Sequence, residues 1–303
     1  MKGIGFKLMQ VLMFTIMTAC VKWAAARGVP PGETVFFRSL FAAPVIIGWL
    51  ALRGELGTGL KTDNPLGHVW RGLVGTVAMG CTFAGLALLP LPEVTAIGFT
   101  APLLVVVFAA MFLGERVGVF RLTTVALGFA GVLVILSPRF AIGGVDDTRA
   151  ALGAMIVLMG AIFAALAQIF VRNLTRTEGT ATIVFWFSIT ATGLSLLTLP
   201  WGWVWPGWTV VGVMILTGLV GGFGQIFLTS AYRYADASLV APFEYASLLL
   251  ALIVGYVVFA ESPTPPMLAG ASLVMLAGIL IIWRERKLGL DRAKQRKITG
   301  GQG

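Results

Sequence analysis

F-L-G-E-R at 112–116 and V-F-A-E-S at 258–262 each close an apolar run, and their glutamates, Glu115 and Glu261, stand 146 residues apart in a chain of 303. Around them the chain restates itself. T-A-I-G-F-T-A-P at 95–102 matches S-L-V-A-P-F-E-Y at 238–245 at an offset of 143, so the second copy carries about three extra residues, close to one helical turn. A glycine-bearing run follows each glutamate, L-G-F-A-G-V-L-V-I-L at 127–136 and V-M-L-A-G-I-L-I-I at 274–282. Upstream, F-F-R-S-L-F-A-A at 36–43 faces V-F-W-F-S-I-T-A at 184–191. A hydrophobic chain that repeats at its midpoint reads as two copies of one set of membrane helices.

Composition supports that reading. Hydrophobic residues make up 58% of the chain and charged residues 12%, about half the charged share of a soluble domain. The net charge of +9 does not point to nucleic acid, because the basic residues sit between apolar runs and in the tail. Cys20 and Cys81 both fall inside apolar runs, so neither a disulfide framework nor a metal cluster is implied. No P-loop, dinucleotide glycine fingerprint or nucleophile elbow occurs in a usable context, and no cofactor is expected. Lys2 and Lys7 before an apolar run ending in A-A-A at 24–26 imitate a cleavable leader. The length of that run, the interruption at Lys22 and the nine apolar segments that follow identify it as a retained first helix.

Ten segments, near 4–26, 34–52, 68–89, 94–113, 120–137, 150–171, 181–199, 208–231, 238–259 and 266–283, each approach the ~20 residues that cross a hydrocarbon core. None alternates as a barrel strand does. The expected fold is an all-α polytopic membrane protein with ten transmembrane helices in two inverted five-helix repeats. The first repeat covers 1–140 and the second 150–284, and a basic cytosolic tail covers 285–303. Five spans per repeat is odd, so the second copy enters the membrane from the opposite side. With a cytosolic amino terminus, 17 lysines and arginines lie inside and five outside, which places both termini in the cytosol. The tail reads as a short amphiphilic extension followed by disorder, attracted to anionic lipid headgroups.

Inverted halves can exchange conformations around a central site, closing one gate as the other opens. The chain here resembles the ten-helix, paired-EamA branch of the drug/metabolite transporter superfamily. The marks are F-F-R-S near the second helix, A-P-L…F-L-G-E-R at the end of the fourth and G-F-A-G-V-L-V-I-L-S-P in the fifth. The second half carries A-Y-R-Y-A-D-A-S-L-V-A-P-F-E-Y and then Ala260-Glu261. The likeness covers about residues 5–285. It implies a bacterial inner-membrane, secondary-active carrier of a small organic metabolite, an exporter rather than an importer and not an enzyme. It does not name the substrate, and Ser262 stands where the first copy has Arg116, which breaks charge symmetry between the halves.

A charge near the bilayer centre costs at least ~2.5–3.5 kcal/mol, so each polar group within a span needs a partner, a water path or an escape to the interface. Glu244, beside Pro242 and Tyr245 in a turn expected to be distorted, is a candidate cation or proton site; a structural ion pair is its alternative. Arg38 and Lys22 lie near the outer ends of the first two spans, where they form a candidate lip for a carboxylate or phosphate unless they snorkel. Arg38 is favoured, because the resemblance places an arginine in its F-x-R motif. Gln168 and Gln225 suit either a cavity or a helix contact. Trp186, Phe37 and Tyr245, with Trp23 and Tyr232, are placed to wall an apolar pocket. Trp201, Trp203, Trp205 and Trp208 read as an interfacial belt, and His68 as interfacial. Clustered glycines in spans three and eight suit helices that slide or bend, or ordinary tight packing, and small glycines at an interface could equally support a homodimer. The substrate expected is an amino acid or other carboxylate-bearing compound. A multidrug or cationic-compound exporter and a lipid-modifying membrane enzyme are the alternatives, though the enzyme would need polar groups clustered at one depth.

Overall fold

The computed structural model describes residues 2–113, 118–140, 145–175, 177–234 and 241–300. Glu115 and Arg116 lie outside them, as do the side chains of Tyr232 and Pro242. Twelve α-helices are formed among these residues: α1 (Lys2–Ala25), α2 (Pro31–Leu52), the single turn α3 (Leu56–Gly59), α4 (Pro65–Leu88), α5 (Leu91–Gly98), α6 (Thr100–Leu113), α7 (Val119–Phe140), α8 (Val145–Leu174), α9 (Thr180–Leu196), α10 (Trp208–Tyr234), α11 (Ala246–Phe259) and α12 (Pro265–Gly300). Eight spans are long and apolar enough to cross a membrane, and the shorter apolar helices Ala181–Leu196 and Phe243–Phe259 supply two more. Exposed leucine, isoleucine, valine and methionine side chains, among them Leu12, Ile47, Leu73, Met155 and Ile253, give the bundle an apolar outer surface suited to lipid.

Helix starts follow local chemistry. Pro31, Pro65 and Pro265 sit in first turns, where an amide hydrogen would have no helical partner. Asn64 caps α4 by accepting a hydrogen bond from Gly67 N at 2.9 Å. Gly202 and Gly207 adopt φ of 90° and 87° in the W-G-W-V-W-P-G turn, a left-handed conformation that glycine enters without a Cβ penalty.

The fourth and ninth spans are both broken, at matching points of the repeat. The fourth divides at Phe99, between α5 and α6; the ninth opens with a 3-10 turn over Ala241–Tyr245, the distorted turn expected at Pro242. The two breaks meet, with Phe99 edge-on to Tyr245 at 5.0 Å between ring centroids. Tyr245 is seated over Gly278 of α12, where an added Cβ would lie 1.5 Å from its hydroxyl.

Packing is symmetric under exchange of the halves. α1 packs on α10 as α8 packs on α4; α2 packs on α10 as α9 packs on α4; α2 packs on α9, and α7 on α12. The last pair approach backbone to backbone, since a Cβ at Gly131 would lie 2.7 Å from Gly270 O and one at Gly270 2.4 Å from Gly131 O. The tail departs from expectation. α12 runs on to Gly300 rather than giving way to disorder, because no proline and only Gly289 interrupt its helix-forming residues.

Candidate functional site

The symmetry has a sequence signature finer than the glutamates. G-L-V-G at 72–75 in α4 recurs at 218–221 in α10. Each tetrapeptide presses its glycines on a helix of the other half. A Cβ at Gly72 would lie 2.3 Å from Thr190 Cγ2 in α9, and one at Gly218 would lie 2.4 Å from Phe41 Cβ in α2. One turn on, a Cβ at Gly75 would meet Phe187 Cε2 at 2.9 Å, whereas one at Gly221 would meet Arg38 Nε at 3.3 Å. Structurally, then, Arg38 and Phe187 are mates in the two copies, and the residue preceding each tetrapeptide is Arg71 in one and Thr217 in the other.

These residues converge. Arg38 enters from one end of the bundle, seven residues into α2, and Arg71 from the other, six residues into α4; each is roughly 10 Å along its helix. Their guanidinium carbons stand 5.8 and 4.2 Å from the centroid of the Phe187 ring, so the two cations lie within about 10 Å of each other. Gly75 makes the room, because a Cβ there would sit 2.1 Å from Arg71 Nη1. Arg38 is 3% exposed. Its Nε, and Nε and Nη1 of Arg71, are buried without a hydrogen-bond partner, and neither arginine forms an ion pair among the described residues. Two unit charges about 10 Å apart repel by roughly 1.7 kcal/mol at an effective dielectric near 20, on top of the cost of desolvating each. Cation–π attraction to the Phe187 ring offsets only part of this. Between the same three helices, but lined by none of Arg38, Arg71 and Phe187, lies an apolar pocket of about 430 Å³ bordered by Val35 of α2, Thr76 and Gly80 of α4 and Leu194 of α9.

The other expected residues lie elsewhere. Lys22 is fully engaged: it pairs with Glu261 at 2.7 Å and donates to Leu89 O at 2.7 Å and Leu86 O at 3.3 Å. Glu261 Oε2 accepts from Leu91 N at 2.8 Å, so this one pair ties the ends of α1, α4 and α11 to the start of α5. Glu244 is bound by Lys7 of α1, a side chain with no exposure, while Glu244 itself is 44% exposed. Gln168 continues the face of α8 that carries the buried Val157 and Ala161, yet is exposed, so the packed face opens at its level. Gln225 is half-buried in α10. Phe37 packs against the cluster of Ala24, Val29, Val210 and Met214 and stacks on Phe41 at 6.0 Å. Trp186 turns away from Phe187, donating from Nε1 to Leu60 O at 3.2 Å and lying 6.1 Å from the His68 ring.

Two residues read from the sequence as flanking charges thus turn inward, Lys7 wholly buried and Arg71 partly exposed with its Nε and Nη1 buried. His68, in the first turn of α4, is 1% exposed, with Glu178 of the 177–179 segment 3.7 Å from its Nε2. From that loop Glu178 accepts from Thr62 Oγ1 at 2.6 Å, Asp63 N at 3.0 Å and Asn64 N at 3.2 Å. Burial pushes the Glu178 carboxyl up, but these three donors and the neighbouring His68 outweigh it and hold the group below the usual carboxylate range. The signal that would have found Arg71 was the glycine tetrapeptide it precedes. Among the described residues no cluster of metal-ligating side chains occurs.

The family model for the EamA-like transporter family matches residues 1–137 and 151–284. Among curated proteins, the chain is 31% identical over 288 residues to the pseudopaline exporter CntI of Pseudomonas aeruginosa, covering 92% of this chain and 95% of that one. It is 28% identical over 278 residues to a riboflavin transporter of Rhizobium johnstonii, covering 91% and 89%. It is 27% identical over 285 residues to an S-adenosylmethionine uptake transporter of Rickettsia felis, covering 94% of each. One solved structure, 20% identical, superposes with a TM-score of 0.65 over 94% of this chain and 98% of that chain, a likeness of fold alone.

Proposed function

The chain belongs to the EamA-like transporter family, as a polytopic inner-membrane transporter of small molecules, and from that premise we propose that it exports a carboxylate-bearing metabolite by alternating access, with Arg38 as the group that holds the carboxylate. The observation that carries this reading is Arg38 itself: a fully buried guanidinium with no described acid beside it. A forked donor set in a dry site is suited to a bidentate carboxylate. Alternating access is supported by the inverted repeat and by two broken spans that meet at Phe99 and Tyr245.

The cytosolic placement of both termini survives the relocation of charges. Setting aside the inward-facing Lys7, Arg71, Lys22 and Arg38 leaves 15 lysines and arginines inside and three outside. The relatives include both uptake and export proteins, and export rests on the sequence resemblance. Glu244 is the proposed proton-coupling residue; its protonation would dissolve the pair with Lys7 and so link a proton to the packing of α1. An imposed pH gradient that leaves solute flux unchanged would remove that role. The basic end of α12 is suited to anionic lipid headgroups.

The test is charge reversal. Arg38→Glu protein, purified and reconstituted in liposomes, should elute and unfold as the wild type does but move no carboxylate solute. Wild-type kinetics in that variant would end the proposal. A thermal-shift screen of the wild type against amino acids, carboxylates, nucleosides and cationic dyes should select the anions and pass over the dyes.

A further inference from the structure

We infer that the solute carries two negative charges, held together by Arg38 and Arg71 across the Phe187 ring: a small dicarboxylate or a phosphate monoester rather than a monoanion. This rests on the reading of Arg38 as a substrate-binding group and adds a second, different residue to it. The two guanidiniums come from different helices and opposite ends of the bundle, yet both lie at the one Phe187 ring, 5.8 and 4.2 Å from its centroid. Both keep buried nitrogens without acceptors.

A monoanion would neutralise one of them and leave the other buried and unpaired. A dianion answers both and removes their mutual repulsion as well. The cradle is also specific to the first half. Where α4 carries Arg71 before its G-L-V-G, α10 carries Thr217, and where α2 carries Arg38, α9 carries Phe187. The packing is repeated at the glycines, while both charged positions belong to the first half. About one turn along α2 and α4 from the arginines, at Val35 and Thr76, the same helices border an apolar pocket.

The decisive comparison needs no variant. Wild-type protein in detergent is titrated with succinate, with its monomethyl ester and with glycerol 3-phosphate at constant ionic strength, and thermal unfolding is followed. Succinate or glycerol 3-phosphate, or both, should bind at least 10-fold more tightly than the monomethyl ester; which one wins tells a two-carboxylate span from a single phosphate group. Arg71→Gln should bring the dianions down to the affinity of the monoester and leave the monoester within about 2-fold, because a monoanion needs only Arg38. Equal affinity for succinate and its monoester, with Arg71→Gln unaltered and Arg38→Gln dead, would overturn the dianion and leave the carboxylate reading standing. No stabilisation by any of the three anions would overturn both.

Discussion

Among the described residues four cations lie within the bundle, Lys7 and Arg38 buried and Lys22 and Arg71 partly exposed, and they fall into two kinds. Lys22 and Lys7 each hold a carboxylate, Glu261 and Glu244, contributed by the α11 span of the second half. Arg38 and Arg71 hold none, and their nearest common feature is an aromatic ring. A paired charge stitches helices from the two halves together, so it serves the fold. An unpaired one lowers the stability of the empty protein and is retained only if something from outside completes it. The contrast turns a general statement about buried charge into separate expectations for each residue.

The largest loss of stability should come from the paired set. Lys22→Met leaves Glu261 with a buried charge and frees two carbonyls, and about 3–5 kcal/mol of stability should go with it. Thermal and denaturant unfolding in detergent would show this, and the Lys22→Met/Glu261→Gln double variant should recover part of it. A single variant as stable as the wild type would erase the distinction between the two kinds of cation.

Glu178 provides an intermediate case, a carboxylate that accepts from the Thr62 hydroxyl and two backbone amides rather than pairing with a lysine or arginine. Glu178→Gln should cost about 1.5–3 kcal/mol, the worth of hydrogen bonds to a charged acceptor. Because its folded-state pKa is depressed, its contribution is fully present above the ordinary carboxylate range and is lost as pH falls through the lower folded value. Wild type and variant should therefore converge in stability on acidification. A gap that widens toward low pH would reverse the sign of the assignment.

Gly75→Ala sharpens the comparison without touching a charge. The new methyl collides with the far end of Arg71, which can move, and with the edge of Phe187. Stability should change by less than about 1 kcal/mol, while affinity for succinate falls several-fold as the guanidinium is displaced. Unchanged affinity would mean that Arg71 is not where the solute binds.

The ten spans, their inverted repetition and the distorted start of the ninth were legible because bilayer thickness and helix rise leave few ways to arrange such a chain. Arg38 was legible too, as a cation in an apolar run. What could not be read was pairing. Lys22 and Arg38 look alike in sequence, each a cation near the outer end of a span. Only the three-dimensional meeting of α1 with the end of α11 shows that one is satisfied and the other is not. Arg71 and Lys7 were hidden by their closeness to span ends, where a long side chain ordinarily reaches the interface. Glu261 changes most. It marks the end of the second copy, and it is also the carboxylate that keeps Lys22 from being a binding group.

The central claim is that Arg38 exists for the solute and not for the fold. It is tested most directly by measuring flux and thermal stability together on Arg38→Gln protein in the same preparation. The account predicts that carboxylate flux is lost while the unfolding temperature of the empty protein stays the same or rises, since an unpaired buried charge has gone. A fall in unfolding temperature with flux intact would contradict it.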